Sequence, residues 1–256
     1  TDRRYFLCWT PREAEQRALK RVAETLRGEM VAETSTRRFY TPAEVAAHSS
    51  PDDCWVSFLG GVYNVTEVVK AKDAPLAQPI LKVAGADISH WFDADSGDVK
   101  KHVDPIAQIE RPYVPMGRFV HVPPAEPVGD WDTSFTKPWW KDEEAYKVGL
   151  LSAKTRRIRI KNVLTGQEDT LEVPSEETIN EIQERFLEFN WHAKSYTWKI
   201  MKNNGGTFSF LPLDMEKTLE ENGLADESGL YEELGVEDDY YIPVVQLYWK
   251  DDLSVA

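Results

Sequence analysis

Apolar positions recur every three or four residues at Leu19, Val22, Leu26 and Met30, while Arg12, Glu15, Lys20, Arg21 and Arg27 fill the remaining faces. That spacing predicts an amphipathic helix ending near Met30. Its start is marked by Thr10-Pro11-Arg12-Glu13, with Thr10 as N-cap, Pro11 at the first helical position and Glu13 closing a capping box. A lone helix of this length is marginal in water, so this arm (residues 1–37) needs a surface to cover, on its own chain or on a partner.

From residue 38 the pattern changes to short strands and short helices. Thr41-Pro42-Ala43-Glu44 repeats the helix-start logic, and that helix is expected to end near His48. Trp55–Phe58 and Val62–Val65 flank Leu59-Gly60-Gly61, which predicts a tight hairpin, and Thr66 is expected to cap the next short helix. Residues 38–122 therefore read as one α+β domain. Residues 123–153 read as a linker, because Pro123, Pro124, Pro127, Gly129 and Pro138 interrupt regular structure. Its Trp131, Phe135, Trp139 and Trp140 are too large and apolar to stay wet, and are expected in the seam between domains.

Residues 154–256 read as a second domain. Ile158 and Ile160 alternate within Arg156–Asn162, Leu164-Thr165-Gly166 turns, and Leu171 and Val173 alternate within Asp169–Val173. Ser175 is expected to cap a helix carrying Ile179, Ile182, Phe186 and Phe189 on one stripe. Tyr196–Met201 and Val244–Trp249 complete the strands. Strand, strand, helix, strand, turn, strand is the order of a β-grasp sheet. Met215–Leu224 resembles the turn before the last strand of the ubiquitin-like family, so a ubiquitin-like β-grasp domain is the expectation.

Composition narrows the function classes. No apolar run reaches the ~20 residues that span a bilayer, and the N-terminal stretch lacks the apolar core of a signal peptide. The expectation is a protein that is neither secreted nor membrane-bound. Cys8 and Cys54 stand in no metal-ligand spacing and read as buried thiols. A net charge of −14 argues against nucleic acid as a partner. Most of that charge sits at the end of the chain, where 13 acidic residues after Pro212 face only Lys217 and Lys250. The run Glu232–Tyr240 reads as a solvated face able to steer a basic partner.

Catalytic chemistry is sparse. His48, His90, His102, His121 and His192 stand beside no nucleophile or paired carboxylate at recognisable spacing. Gly60-Gly61 and Gly205-Gly206 are hairpin glycines and precede no helix, so no phosphate-binding loop is present. The reading is of a protein without an enzymatic activity of its own.

Five blocks carry a specific likeness. Phe39–His48, Cys54-Trp55-Val56, Gly61–Thr66, Ala84–Ile88 and Met116–Phe119 occur in the order of the cytochrome b5 domain, which residues 38–122 resemble. With Ser89–Asp93, Gly117–Pro124, Lys137–Trp140, Leu151–Arg156 and Thr218–Gly223, the likeness extends over nearly everything after residue 37. It points to a ciliary branch of the cytochrome b5 domain-containing proteins.

In the b5 domain two histidines hold a six-coordinate haem. The first position, counted from Thr66, falls at Lys72 or Asp73, in a loop (Ala71–Pro79) with no histidine and no paired glycines. The second falls after Phe92, where His102, on an expected short helix Val99–His102, is the candidate and His90 its substitute. His102 with Lys72, the latter neutral if desolvated, are the possible axial positions, and His102 the iron ligand if haem is bound. The cofactor reading is none or haem. His121 reads as a packed or edge histidine in a strand, and His48 as a cation suited to a helix C-terminus.

The resemblance implies a non-enzymatic structural or adaptor component of the motile-cilium axoneme, in the radial spoke, with spoke proteins as partners. The alternative it leaves open is a haem-binding redox or electron-transfer protein regulating ciliary beating.

Overall fold

The computed structural model describes residues 38–71, 74–105, 108–126, 128–129, 131, 134–237 and 240–250. The expected N-terminal helix lies outside these residues. The described residues fall within one compact unit.

The first sheet has the order β1-β7-β4-β3-β2. It comprises β1 (Phe39–Tyr40), β2 (Ser49–Ser50), β3 (Asp53–Phe58), β4 (Gly61–Asn64) and β7 (Lys147–Leu151). Phe58 pairs with Gly61, and the turn between them places Leu59 at φ +48 and Gly60 at φ +76. Two successive left-handed residues match the twist of the hairpin, and glycine meets that demand without strain.

Strand β7 falls in the segment that composition assigns to a linker. It lies between β1, which it pairs in parallel (Phe39↔Leu150), and β4, which it pairs antiparallel (Gly61↔Leu150). Gly149 makes this insertion possible, because a Cβ there would sit 2.7 Å from the Tyr40 ring and 3.0 Å from the Arg38 carbonyl oxygen.

Helix α1 (Pro42–Ala47) starts as expected. The Thr41 hydroxyl accepts from the Glu44 amide while the Glu44 carboxylate accepts from the Thr41 amide. In α2 (Thr66–Lys70) the N-cap is Val65, not Thr66. The Thr66 hydroxyl instead accepts from the buried Cys54 amide at 2.9 Å and so ties α2 to β3. The stretch read as loop through Pro79 contains α3 (Ala74–Leu81), where Pro75 falls in the first turn, a place proline tolerates. A small hairpin of β5 (Lys101–Val103) and β6 (Glu110–Pro112) follows. Helix α4 (Glu143–Tyr146) then leads into β7.

The second sheet has the order β11-β10-β12-β8-β9. Its strands are β8 (Thr155–Asn162), β9 (Glu168–Pro174), β10 (Tyr196–Asn204), β11 (Thr207–Pro212) and β12 (Val244–Trp249). Central β8 and β12 run parallel (Val245↔Ile160), and the remaining neighbours are antiparallel. One helix, α5 (Ile179–Phe186), buries Ile179, Ile182 and Phe186 in a core with Ile158, Ile160, Trp198, Ile200, Val245 and Leu247. Its cap is Thr178, with Glu181 closing a capping box, rather than Ser175. Phe189 lies past the helix end and is half exposed. Between β11 and β12 the chain carries α6 (Ser228–Glu233).

Candidate functional site

The core of the first half is aromatic. Alternation along β3 turns Cys54, Val56 and Phe58 inward. Ser57 is also buried, because its backbone is held by the segment ahead of the 3-10 turn Ser89–Trp91, with Ile88 N donating to the Ser57 carbonyl at 2.8 Å. That turn delivers Trp91 and Phe92. Phe58 stacks on Tyr63 at 4.2 Å and on Phe92 at 4.4 Å, and Trp91 meets Phe119 at 5.2 Å.

Two further rings come from the expected linker. Trp139 and Trp140 do not lie in a seam between domains but within this cluster, with Trp139 fully buried. Trp139 stands edge-on to Phe58 at 5.7 Å, and Trp140 edge-on to Phe119 at 5.7 Å. Asp98 pins them: it accepts from the Trp140 indole Nε1 at 3.0 Å, from Lys141 Nζ at 2.6 Å and from the Val99 amide at 2.9 Å. Burial works to raise the Asp98 carboxyl, but the Lys141 hydrogen bond leads the effects that outweigh it and hold it below its ordinary value. The other two linker rings, Trp131 and Phe135, pack on each other, and Phe135 stacks on His121 at 4.1 Å.

The histidines are placed as follows. His48 follows the last residue of α1, bonds Asp53 through Nδ1 at 2.6 Å and stacks on Trp55 at 3.8 Å. His121 is in a turn at φ +70, not in a strand, and its Nδ1 accepts from the Trp139 amide at 3.0 Å. His192 packs against Trp191 and Trp249. His90 is exposed in the 3-10 turn, edge-on to Trp91. His102 is not on a helix. It lies on exposed β5, paired with Arg111 across the hairpin and edge-on to Tyr113. Lys72 lies outside the described residues.

A b5-type haem needs an internal slot with two nitrogen ligands facing across it. The interior is filled by the protein's own rings, and both candidate histidines stand on exposed backbone. Among the described residues no group of three or more His, Cys, Asp and Glu side chains is placed to hold a metal ion. The described residues do not fit a b5-type haem.

Cys54 is fully buried in this core. Burial first, and the neighbouring Asp53 second, push its thiol up to about 11. Burial and then Glu143 push the Tyr63 hydroxyl up to about 12.

A second constellation, not anticipated from sequence, joins the two sheets. Arg185 projects from α5 and is 5% exposed; Glu177, just ahead of that helix, is 2% exposed. The pair is bidentate: Arg185 Nε donates to Glu177 Oε2 at 2.6 Å and Nη2 to Oε1 at 2.7 Å. Nη2 also donates to the Phe39 carbonyl in β1 at 2.8 Å, and Nη1 donates to Glu44 in α1. Burial pushes the Glu177 carboxyl up, its pairing notwithstanding, whereas pairing with Glu177 and Glu44 outweighs burial and holds the Arg185 guanidinium above its ordinary value. The signal in the sequence was a charged residue on the apolar stripe, between Ile182 and Phe186.

The hairpin, the Ala84–Ile88 segment, which crosses to β3 with the Gly85 amide donating to the Trp55 carbonyl at 2.7 Å, and the aromatic core form a cytochrome b5-like domain, and residues 41–120 match the family described as "Cytochrome b5-like Heme/Steroid binding domain". Rice cytochrome b5 is 32% identical over 36% of this chain and 68% of its own length. The match extends well beyond that domain. Cytochrome b5 domain-containing protein 1 of Xenopus tropicalis is 50% identical over 85% of this chain and 96% of its own length, and the human protein of that name is 50% identical over 85% and 92%. The chain belongs to the cytochrome b5 domain-containing protein 1 family. The names of these two relatives state a domain and no enzymatic activity. Among the described residues no helix is long and apolar enough to cross a membrane.

Proposed function

We propose that this chain is a non-enzymatic adaptor of the motile-cilium axoneme, a radial spoke component, built from a b5-like module and a ubiquitin-like β-grasp module. The observation that carries the adaptor reading is the filling of the b5-like interior by Phe58, Phe92, Phe119, Trp139 and Trp140. It leaves a shape suited to contacts rather than a slot suited to a cofactor. The ubiquitin-like reading is supported by the β11-β10-β12-β8-β9 order, the parallel central pair and the single covering helix. The axonemal placement comes with the family resemblance. Axonemes prepared from cells expressing the tagged full chain test it: retention after detergent extraction, lost in axonemes lacking radial spokes, is the expected result. Recovery only in the detergent-soluble fraction sinks it.

The haem reading has the family's haem/steroid binding description on its side. Haemin titration of the full chain separates the two. A Soret band that shifts on His102→Ala or Lys72→Ala replaces the adaptor reading with a redox one.

A further inference from the structure

The chain passes from the first sheet to the second in three residues, since β7 ends at Leu151 and β8 begins at Thr155. Halves joined by so short a connector ordinarily turn about it, because a few loop residues can absorb a domain rotation. The apolar cores of the two halves share no residue, so no continuous apolar core fixes their angle. Ser152, Ala153 and Lys154 stand where a hinge belongs.

All three are tied down. Ser152 is 5% exposed. Its amide donates to the Tyr40 carbonyl in β1 at 2.9 Å, and its hydroxyl shares its proton between Glu176 Oε2 and the Lys154 carbonyl, each at 2.8 Å. The Ala153 amide donates to Glu176 Oε1 at 2.8 Å, so one carboxylate spans two successive residues of the connector. The Lys154 carbonyl also accepts from the Ser175 amide at 2.9 Å, and its Nζ pairs with Asp226 at 2.7 Å.

The neighbour of Glu176 carries the second tie. Glu177 holds Arg185, which reaches across to the Phe39 carbonyl and to Glu44. Successive carbonyls of β1, at Phe39 and Tyr40, are therefore gripped, one by Arg185 and one by the connector. Glu44 serves twice: its Oε1 accepts from Arg185 while its Oε2 accepts from the Thr41 amide at 2.8 Å and closes the capping box of α1. Two ties at separate points remove the rotation that either would permit alone.

We infer that the turn bearing Glu176 and Glu177, together with Arg185, is a lock on this hinge, holding the two halves at one angle. Its release, with Glu176 parted from the connector and Arg185 from β1 and α1, frees Ser152–Lys154 to turn and loosens the first turn of α1. The inference goes beyond the adaptor reading and holds whatever the halves bind.

The test uses the full chain with Cys8→Ser and spin labels on Glu67→Cys in α2 and Thr170→Cys in β9, two exposed positions, while Cys54 is fully buried and stays unlabelled. A single narrow distance distribution between the labels is expected. Arg185→Lys keeps the charge but cannot grip in two places, and Glu176→Ala releases the connector; each should widen the distribution about twofold or more. Arg185→Lys should also speed hydrogen exchange at the Thr41 amide about tenfold. Each variant is measured below its own melting transition, with unchanged circular dichroism showing that the fold is kept. A broad or two-peaked distribution in the parent protein overturns the inference, and so does an unwidened one in either folded variant. If Arg185→Lys does not melt cooperatively, Glu176→Ala decides alone, because its carboxylate is only partly buried and its loss leaves the Arg185 pair in place.

Discussion

Replacing Arg185 by methionine strands Glu177 in the core. The carboxylate is 2% exposed and loses both arms of a bidentate pair, at 2.6 and 2.7 Å. Breaking a buried pair by removing one partner costs about 3–5 kcal/mol, because the remaining charge is left uncompensated. The Phe39 carbonyl and Glu44 also lose a donor. For a unit of this size each kcal/mol lowers the melting temperature by about 2–4 °C, so Arg185→Met is expected to lower it by roughly 10 °C. Removing both charges with Arg185→Met and Glu177→Met relieves the stranded carboxylate. The double variant should recover about 2 kcal/mol or more of the loss, measured by urea unfolding followed through tryptophan fluorescence. Equal losses in the single and double variants, or a single-variant loss below about 1 kcal/mol, refute the account of this clamp.

Three further outcomes follow from named contacts. Cys54, with its thiol pushed up to about 11 and fully buried, should resist a thiol reagent at pH 8 in the folded protein and react only at the rate of unfolding; prompt modification would contradict its burial. Asp98 is held below its ordinary value, so its contribution is present above the unfolded carboxyl range and is lost as pH falls through about 4 and below. The melting-temperature gap between wild type and Asp98→Asn should therefore be widest near neutral pH and close in acid, and a gap constant from pH 7 to about 3 counts against the pinning role. Gly85 sits at φ +78, and a Cβ there would approach the Ala46 Cα to 2.9 Å, so Gly85→Ala should cost about 2 kcal/mol or more in chemical denaturation; a neutral result would show that the Ala84–Ile88 crossing yields freely.

What could be read from the sequence was local. The capping box at Thr41 and Glu44, the Leu59-Gly60 turn and the alternation in β8 each depend on residues within a few positions, and each appears as expected. The errors share a different cause. Thr66, Thr178 and Ser175 carry the same hydroxyl chemistry, and which one caps a helix is decided by distant partners such as the Cys54 amide. At His102 the expected helix is a strand, and Val99–His102 is too short for periodicity to distinguish the two. The Arg185 clamp spans 141 positions to Glu44 and 146 to Phe39, separations to which no local pattern is sensitive.

The largest departure, the linker, carries the most general consequence. The family match ends at residue 120, yet the domain it describes is not complete there. Trp139 and Trp140 fill its core, and β7 stands between β1 and β4, so that without it those strands have no pairing with each other. Emptying the space of one buried tryptophan costs about 3–5 kcal/mol, and a whole domain holds only about 5–15 kcal/mol of net stability. Losing both rings removes about 6–10 kcal/mol, comparable to the net stability of a whole domain, and the central strand goes with them. A fragment of residues 38–122 should therefore lack a cooperative melting transition and show collapsed amide dispersion by NMR, whereas residues 38–152 regain both. Residues 38–152 still lack Arg185, the donor to the Phe39 carbonyl and to Glu44, so the longer fragment should melt below the full chain. A cooperative transition for residues 38–122 within a few degrees of that for residues 38–152 would show that the two tryptophans and β7 decorate a domain already folded, and the view that the chain closes its own b5-like module would fall with it.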